Sequence, residues 1–93
     1  MQRYYVYTLF SLTDKKFYTG FSGNLKIRLQ DHALGRVKST KHRRPLRLIH
    51  YEYFVNEKDA RAREVFFKSG FGRLQLKAAL KRTLVALDFS DIQ

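Results

Sequence analysis

The least polar part of the chain lies at its start. Residues 4–10 read Tyr-Tyr-Val-Tyr-Thr-Leu-Phe, a β-branched and aromatic run that predicts a buried strand. Ser11, Thr13 and Asp14 supply turn chemistry. Residues 17–21 form a second such run, so residues 4–21 are expected to make an antiparallel hairpin. A hairpin centred near residues 12–13 puts Tyr7 opposite Tyr18, and directly opposed residues share one face of a sheet.

Helical spacing follows. Asn24 is a suitable N-cap, and Leu25, Leu29 and Leu34, with Ile27 less regular, give the stripe of a short helix. Gly35 can close it in the left-handed conformation. Arg28 and His32 are four apart and share a face of this helix. Residues 36–44 form a basic loop that Pro45 ends. Residues 46–55 alternate as a third strand, with Leu46, Leu48 and His50 on one face and Arg47, Ile49, Tyr51 and Tyr53 on the other. Asn56 or Glu57 starts a helix expected to turn Ala62, Val65 and Phe66 inward. Residues 69–72, Ser-Gly-Phe-Gly, break it. A last helix over residues 73–87 carries Leu76, Leu80, Leu84 and Leu87 on one stripe, and residues 88–93 read as a frayed tail. The order β-β-α-β-α-α predicts an α+β domain with a small three-stranded antiparallel sheet flanked by helices. One domain over residues 1–93, with its core at about 4–87, is expected.

Composition narrows the function. A hydrophobic content of 44%, with 8 Phe and 6 Tyr, supports a packed core and argues against disorder. The chain has no cysteine, which removes disulfides and thiolate-bound zinc. No apolar run approaches the roughly 18 residues of a membrane span, and the start of the chain lacks a secretory pattern. A cytoplasmic, membrane-independent protein is expected, with a monomer as the simplest state. Nineteen Lys and Arg against eight Asp and Glu give a net charge of +11. A field of that sign attracts polyanions, so nucleic acid is the expected partner.

The triplets Tyr5-Val6-Tyr7 and Tyr18-Thr19-Gly20, the run 24–29 with Arg28, then His32 and Arg63-Glu64, together resemble the GIY-YIG nuclease superfamily. The resemblance covers roughly residues 4–82 and is strongest to a short stand-alone bacterial branch, related to the N-terminal incision domain of the excision-repair nuclease. Residues 38–45 and 68–73 also look like that branch. The resemblance implies metal-dependent hydrolysis of DNA, with Mg²⁺ or Mn²⁺ as cofactor and Glu64 as metal ligand. It gives Tyr7 the task of orienting or deprotonating the attacking water, and Tyr18 that of assisting at the phosphate. Arg28 would stabilise charge on the phosphorus-bound oxygens, and His32 would transfer a proton or contact phosphate.

These roles suit the chemistry. Phosphodiester hydrolysis gathers negative charge around phosphorus, which a fixed guanidinium and a metal stabilise. A hard cation keeps several waters, so one carboxylate can suffice. Tyrosine, with an ordinary pKa of about 10, is a poor base unless neighbours lower that value. Each residue also has a plain alternative. Tyr7 and Tyr18 can be strand aromatics, Arg28 a solvated helix residue, His32 a packing histidine, and Glu64 a surface partner of Lys68 at i+4. The triplets depart from the family's name at Tyr5, Val6 and Thr19, positions that build strands. Larger members carry a late asparagine near the site, whereas Asn24 and Asn56 both precede Glu64.

The basic loop supplies the expected nucleic-acid contacts: Arg36, Lys38, Lys41, His42, Arg43 and Arg44, joined by Arg47. Flexible cations position backbone phosphates without reading sequence. Tyr51, Tyr53 and Phe71 are expected in the core, with base stacking as their alternative if exposed. No sequence-reading module is present, so cleavage with structure or strand preference is the leading expectation. A catalytically weak or inactive nucleic-acid-binding module is the other, and RNA is not separated from DNA by composition.

Overall fold

The apolar run at the start of the chain forms the middle strand of the sheet. The structure, a computed structural model, describes residues 2–92, with the backbone path alone for 88–92. Strand β1 (Tyr4–Ser11) pairs antiparallel with β2 (Phe17–Ser22) on one side and β3 (Leu46–Phe54) on the other, in the order β2-β1-β3. From Val6 onward every residue of β1 is buried. Both its faces are covered, which is why its sequence reads as a continuous apolar run.

The hairpin register differs from the expected one by two residues. Tyr7 pairs with Gly20, and Tyr18 pairs with Leu9. The turn causes the shift. Ser11 Oγ accepts from the Thr13 and Asp14 amides at 3.2 and 3.1 Å, and Lys15 adopts a positive φ of 61°. Ser11 N then donates to Lys16 O at 3.0 Å, so the loop closes around residues 12–15. A two-residue shift preserves facing, because side chains alternate with a period of two. Tyr7 and Tyr18 therefore still project to one side, as diagonal neighbours.

In β3 a bulge changes the faces. Thr8 pairs with His50 and Leu9 with Leu48, leaving Ile49 as the extra residue. The bulge puts Leu46, Leu48, Tyr51 and Tyr53 on the face of Tyr7, while Arg47, His50 and Glu52 share the face of Val6. The strict alternation expected for residues 46–55 is thus broken at its middle.

The face of Val6 carries the core. Val6 packs with Ala60 and Phe67 of helix α2 (Glu57–Lys68) and Leu76 of α3 (Gly70–Ala79). Tyr4, Phe17, Phe21, Phe54, Phe66 and Leu80 surround them. Of the residues expected to turn inward from α2, Val65 is 69% exposed and Ala62 is also exposed. Ala60 and Phe67 take their place. The opposite face receives helix α1 (Leu25–Ala33), capped by Asn24, whose Oδ1 accepts from Ile27 N at 3.1 Å. Gly35 follows at φ 76°, as the sequence suggests.

Ser69 makes the corner between α2 and α3. Its Oγ donates to Phe66 O at 2.6 Å and accepts from Gly72 N at 3.0 Å. Gly72 lies against the Phe66 carbonyl, where a Cβ would collide. The expected single helix over residues 73–87 is instead two, α3 and α4 (Lys81–Ile92), parted at Leu80. Neither Gly nor Pro marks that break, so the leucine stripe runs across it unannounced. Residues expected as a tail continue α4 as far as Ile92, and Gln93 lies outside the described residues. The sheet and helices together match the expected α+β architecture.

Candidate active site

Tyr7 is fully buried, and its ring crosses the backbone of its strand partner Gly20. A Cβ on Gly20 would collide with the ring and the hydroxyl of Tyr7. The missing side chain lets the Tyr7 ring lie within 6.4 Å of the Tyr18 ring, centroid to centroid. The expectation that the two tyrosines cluster holds, by a diagonal route.

Helix α1 completes this cluster. The Tyr7 hydroxyl lies 2.7 Å from His32 Nε2, and His32 Nδ1 lies 2.7 Å from Thr40 Oγ1 in the basic loop. His32 and Thr40 are both buried. Burial, helped by the positive charge of Arg28, pushes the His32 pKa down to about 4, so the imidazole is neutral at neutral pH. A neutral imidazole donates from one nitrogen and accepts at the other. Thr40 Oγ1 reaches Val37 O at 3.5 Å, which directs its own proton there and leaves its oxygen to accept from His32 Nδ1–H. Nε2 then accepts the Tyr7 proton. The hydrogen-bond network assigns this tautomer.

The Arg28 guanidinium interacts electrostatically with Tyr7 and Tyr18, Tyr7 more strongly, and this raises its pKa. Burial pushes the Tyr7 pKa up to about 12, opposed by Arg28 and reinforced by Tyr18 and Glu64. Tyr7 is therefore a neutral phenol whose proton goes to His32. Its hydroxyl is covered. Tyr18 and Arg28, both half-buried, are the parts of this cluster that reach the surface.

Glu64 approaches from α2. Its charge acts weakly on Tyr7, and its side chain is only 15% exposed. It pairs with Lys68 Nζ at 3.0 Å and with Arg61 at 3.8 Å. The i+4 partner foreseen as its plain alternative is thus present together with the site location. Among the described residues, no three His, Cys, Asp or Glu side chains group to hold a metal. Both asparagines are caps, Asn24 on α1 and Asn56 on α2, where Oδ1 accepts from Lys58 N at 2.8 Å. Neither supplies the late asparagine of larger relatives.

The basic loop divides by task. Arg43 Nε bonds Asp14 Oδ2 at 2.6 Å, and its Nη2 donates to the Lys16 and Phe17 carbonyls. This clamp ties the loop to the hairpin turn and holds the Asp14 pKa down at about 2. Arg44 donates to Lys41 O and Ala33 O, closing the loop on the end of α1. Arg36 pairs loosely with Asp31 at 3.6 Å. Lys38, Lys41 and His42 are exposed. Arg47 pairs with Phe10 and so lies on the sheet face away from Tyr7. Arg43 and Arg44 are engaged internally, which the charge run did not reveal. Thr40 was missed altogether. Its only trace in the sequence is a small polar residue amid charged ones, eight places after His32.

Tyr51 is 52% exposed, Tyr53 46% and Phe71 65%, so the expectation that these three lie in the core is overturned. The bulge explains the first two: it turns them to a face that α1 does not fully cover.

The comparisons with known proteins identify the family and the fold. Residues 3–77 match the family model of the GIY-YIG catalytic domain. The chain is 37% identical over 90 residues to a UPF0213 protein of Pediococcus acidilactici, covering 94% of this chain and 91% of that protein. It is 38% identical over 65 residues to a UPF0213 protein of Clostridium perfringens, covering 69% of each. The solution NMR structure of a UPF0213 protein from Bacillus halodurans superimposes with a TM-score of 0.54 at 31% identity, over 83% of this chain and 84% of that one. With the domain model spanning most of its length and relatives of nearly its own size, the chain belongs to the GIY-YIG catalytic-domain family.

Proposed function

We propose that this protein is a metal-dependent endonuclease that hydrolyses DNA phosphodiester bonds with structure or strand preference. One observation carries the reading: Tyr7, Tyr18 and His32 cluster on one face of the sheet, and the charges of Arg28 and Glu64 both act on Tyr7. The preference for DNA and a repair setting are what the family resemblance implies, and the cytoplasm is the expectation from composition.

Roles follow from exposure. Arg28 presents a planar fork to phosphate oxygens and neutralises charge that develops there. Tyr18, the more accessible phenol, orients the phosphate or the attacking water. Tyr7 is a positioning residue. Its proton is held by His32, one helical turn from Arg28 on α1, so the helix carrying the guanidinium is fixed before substrate arrives. His32 is fixed in turn by Thr40.

The donor set fits Mg²⁺ or Mn²⁺ as a weakly held ion. Glu64 would be its one protein carboxylate, completed by waters and substrate phosphate. When bound, such an ion supplies Lewis-acid stabilisation of the phosphate. The pairing with Lys68 competes with this ligation, and that observation favours the second reading, a nucleic-acid-binding module with weak or no cleavage.

Purified protein incubated with single-stranded, duplex and branched DNA, with and without Mg²⁺, tests the proposal. Metal-dependent cutting that disappears in Glu64→Ala supports it. No cutting of any substrate above the Glu64→Ala background overturns it in favour of binding alone.

A further inference from the structure

Beside the candidate active site lies a second concavity that the proposed chemistry does not use. It has a volume of about 560 Å³ and is walled by Tyr5, Tyr51, Leu29 and the first turn of α1, with Arg3 and Lys26 at its rim. We propose that it is a stacking site for one unpaired base of the bound nucleic-acid strand. The proposal deepens the functional reading above, because it names the substrate class: single-stranded or locally unpaired nucleic acid.

Tyr5 pairs with Tyr53, and Tyr7 with Tyr51, on adjacent strands, so their side chains share the face of the site. The Tyr5 ring lies 6.1 Å from Tyr51 and 5.8 Å from Tyr53, tilted by 60° and 58°. The tilt makes a corner: a flat ring can stack on one tyrosine with its edge against another. Tyr51 and Tyr53 keep about half their surface open. Leaving that much aromatic area in water forgoes burial that would stabilise the fold, so an unfilled aromatic corner invites a ligand.

Charge selects the ligand. Arg3 lies 6.0 Å from the Tyr53 ring centre, and Lys26 also lines the concavity. Among the described residues, no carboxylate lines the concavity. An aromatic wall rimmed by cations matches a nucleotide, whose base stacks while its phosphate meets Arg or Lys. The volume falls within the usual range for small-ligand sites.

Position ties the concavity to cleavage. Tyr5 is two residues from Tyr7 on the same strand face, roughly 7 Å along β1. Asn24 and Arg28 are one helical turn apart on α1. A strand with its phosphate at Arg28 thus has a neighbouring base within reach of the corner. A base inside a duplex is stacked on its neighbours and cannot enter without leaving the helix. Selection of unpaired strand follows from the shape alone.

The test is binding, kept apart from cleavage by using Glu64→Ala protein in EDTA. Dissociation constants are measured for a fluorescent oligo-dT strand and for a duplex of equal length at one fixed salt concentration. Tyr51→Ala is expected to weaken the single strand about tenfold or more, and the duplex less than twofold. Tyr51→Phe, which keeps the ring, stays within twofold of the parent for both. Leu74→Ala, an exposed apolar side chain on α3, changes neither. Equal losses for strand and duplex, or no loss with Tyr51→Ala, overturn the proposal. Should Tyr51→Ala fail to fold, photocrosslinking of a bromodeoxyuridine strand to the parent protein decides: crosslinks at Tyr5, Tyr51 or Tyr53 support the site, and crosslinks elsewhere alone refute it. Failure of nuclease activity leaves these readouts intact, so the two readings fail separately.

Discussion

The Tyr7 hydroxyl and His32 Nε2 lie 2.7 Å apart in a fully buried contact between the central strand and helix α1. That bond joins the sheet to the helix carrying Arg28, and it fixes which way the Tyr7 proton points. With Thr40 on the other imidazole nitrogen, it forms a hydrogen-bonded chain from the strand through the helix into the basic loop. A buried polar chain of this kind contributes only while every member is satisfied.

Thr40→Val keeps the shape and removes the acceptor for His32 Nδ1. The buried imidazole is left with an unmet donor, at a cost of about 1–3 kcal/mol. Urea unfolding should show that loss. Nitrogen chemical shifts of His32 should report the loss of a single tautomer. An unchanged tautomer would remove Thr40 from its positioning role.

The pH dependence has a definite sign. His32 has its folded pKa pushed below its ordinary 6.5 to about 4, so the unfolded chain binds a proton more readily. Its contribution to stability is full above pH 6.5 and is lost as pH falls through about 4, on the order of 3 kcal/mol in total. Asp14, held at about 2 by Arg43, acts in a lower window, from 3.8 downward. Proton NMR of the His32 ring should give a midpoint near 4. A midpoint at 6.5 would mean that the imidazole is open to solvent.

Gly20→Ala should destabilise the fold by about 1–3 kcal/mol, the usual cost of overpacking, because the buried Tyr7 ring has no room to retreat. Gly23→Ala meets nothing closer than 3.8 Å and should be nearly neutral. Thermal melts of the two variants check the contrast.

Cations of the basic loop should separate in the same way. Arg43→Ala breaks the clamp on Asp14 and the hairpin turn, so the melting temperature falls and the loop is cut more readily by protease. Lys41→Ala should leave the melt unchanged. It should weaken nucleic-acid binding and reduce the salt slope by roughly 1. Equal effects of both on stability would contradict this division.

Much of this was legible before the structure. The central strand, both asparagine caps and the left-handed Gly35 each follow from local chemistry that the structure repeats. The expectation that Tyr7, Tyr18, Arg28 and Glu64 form one site came from the family pattern, because each alone is an ordinary strand or helix residue. What escaped depended on distant parts of the chain. The hairpin register was set by how Ser11 and Lys15 close the turn. The faces of β3 were set by a bulge that pairing with β1 imposes at Ile49. The engagement of Arg43 with Asp14 spans a separation that no spacing rule connects. Exposure of Tyr51 and Tyr53 followed from the bulge and was hidden with it.

Arg28 offers the most direct test of the account. Single-turnover cleavage of a single-stranded or branched DNA in Mg²⁺ should be measured for wild type, Arg28→Lys and Arg28→Ala. The account predicts that Arg28→Ala loses on the order of a hundredfold in rate, as for removal of a charge-stabilising group. Arg28→Lys should recover only part of it, because a point charge replaces a planar fork. Cleavage by Arg28→Ala at the wild-type rate would contradict it.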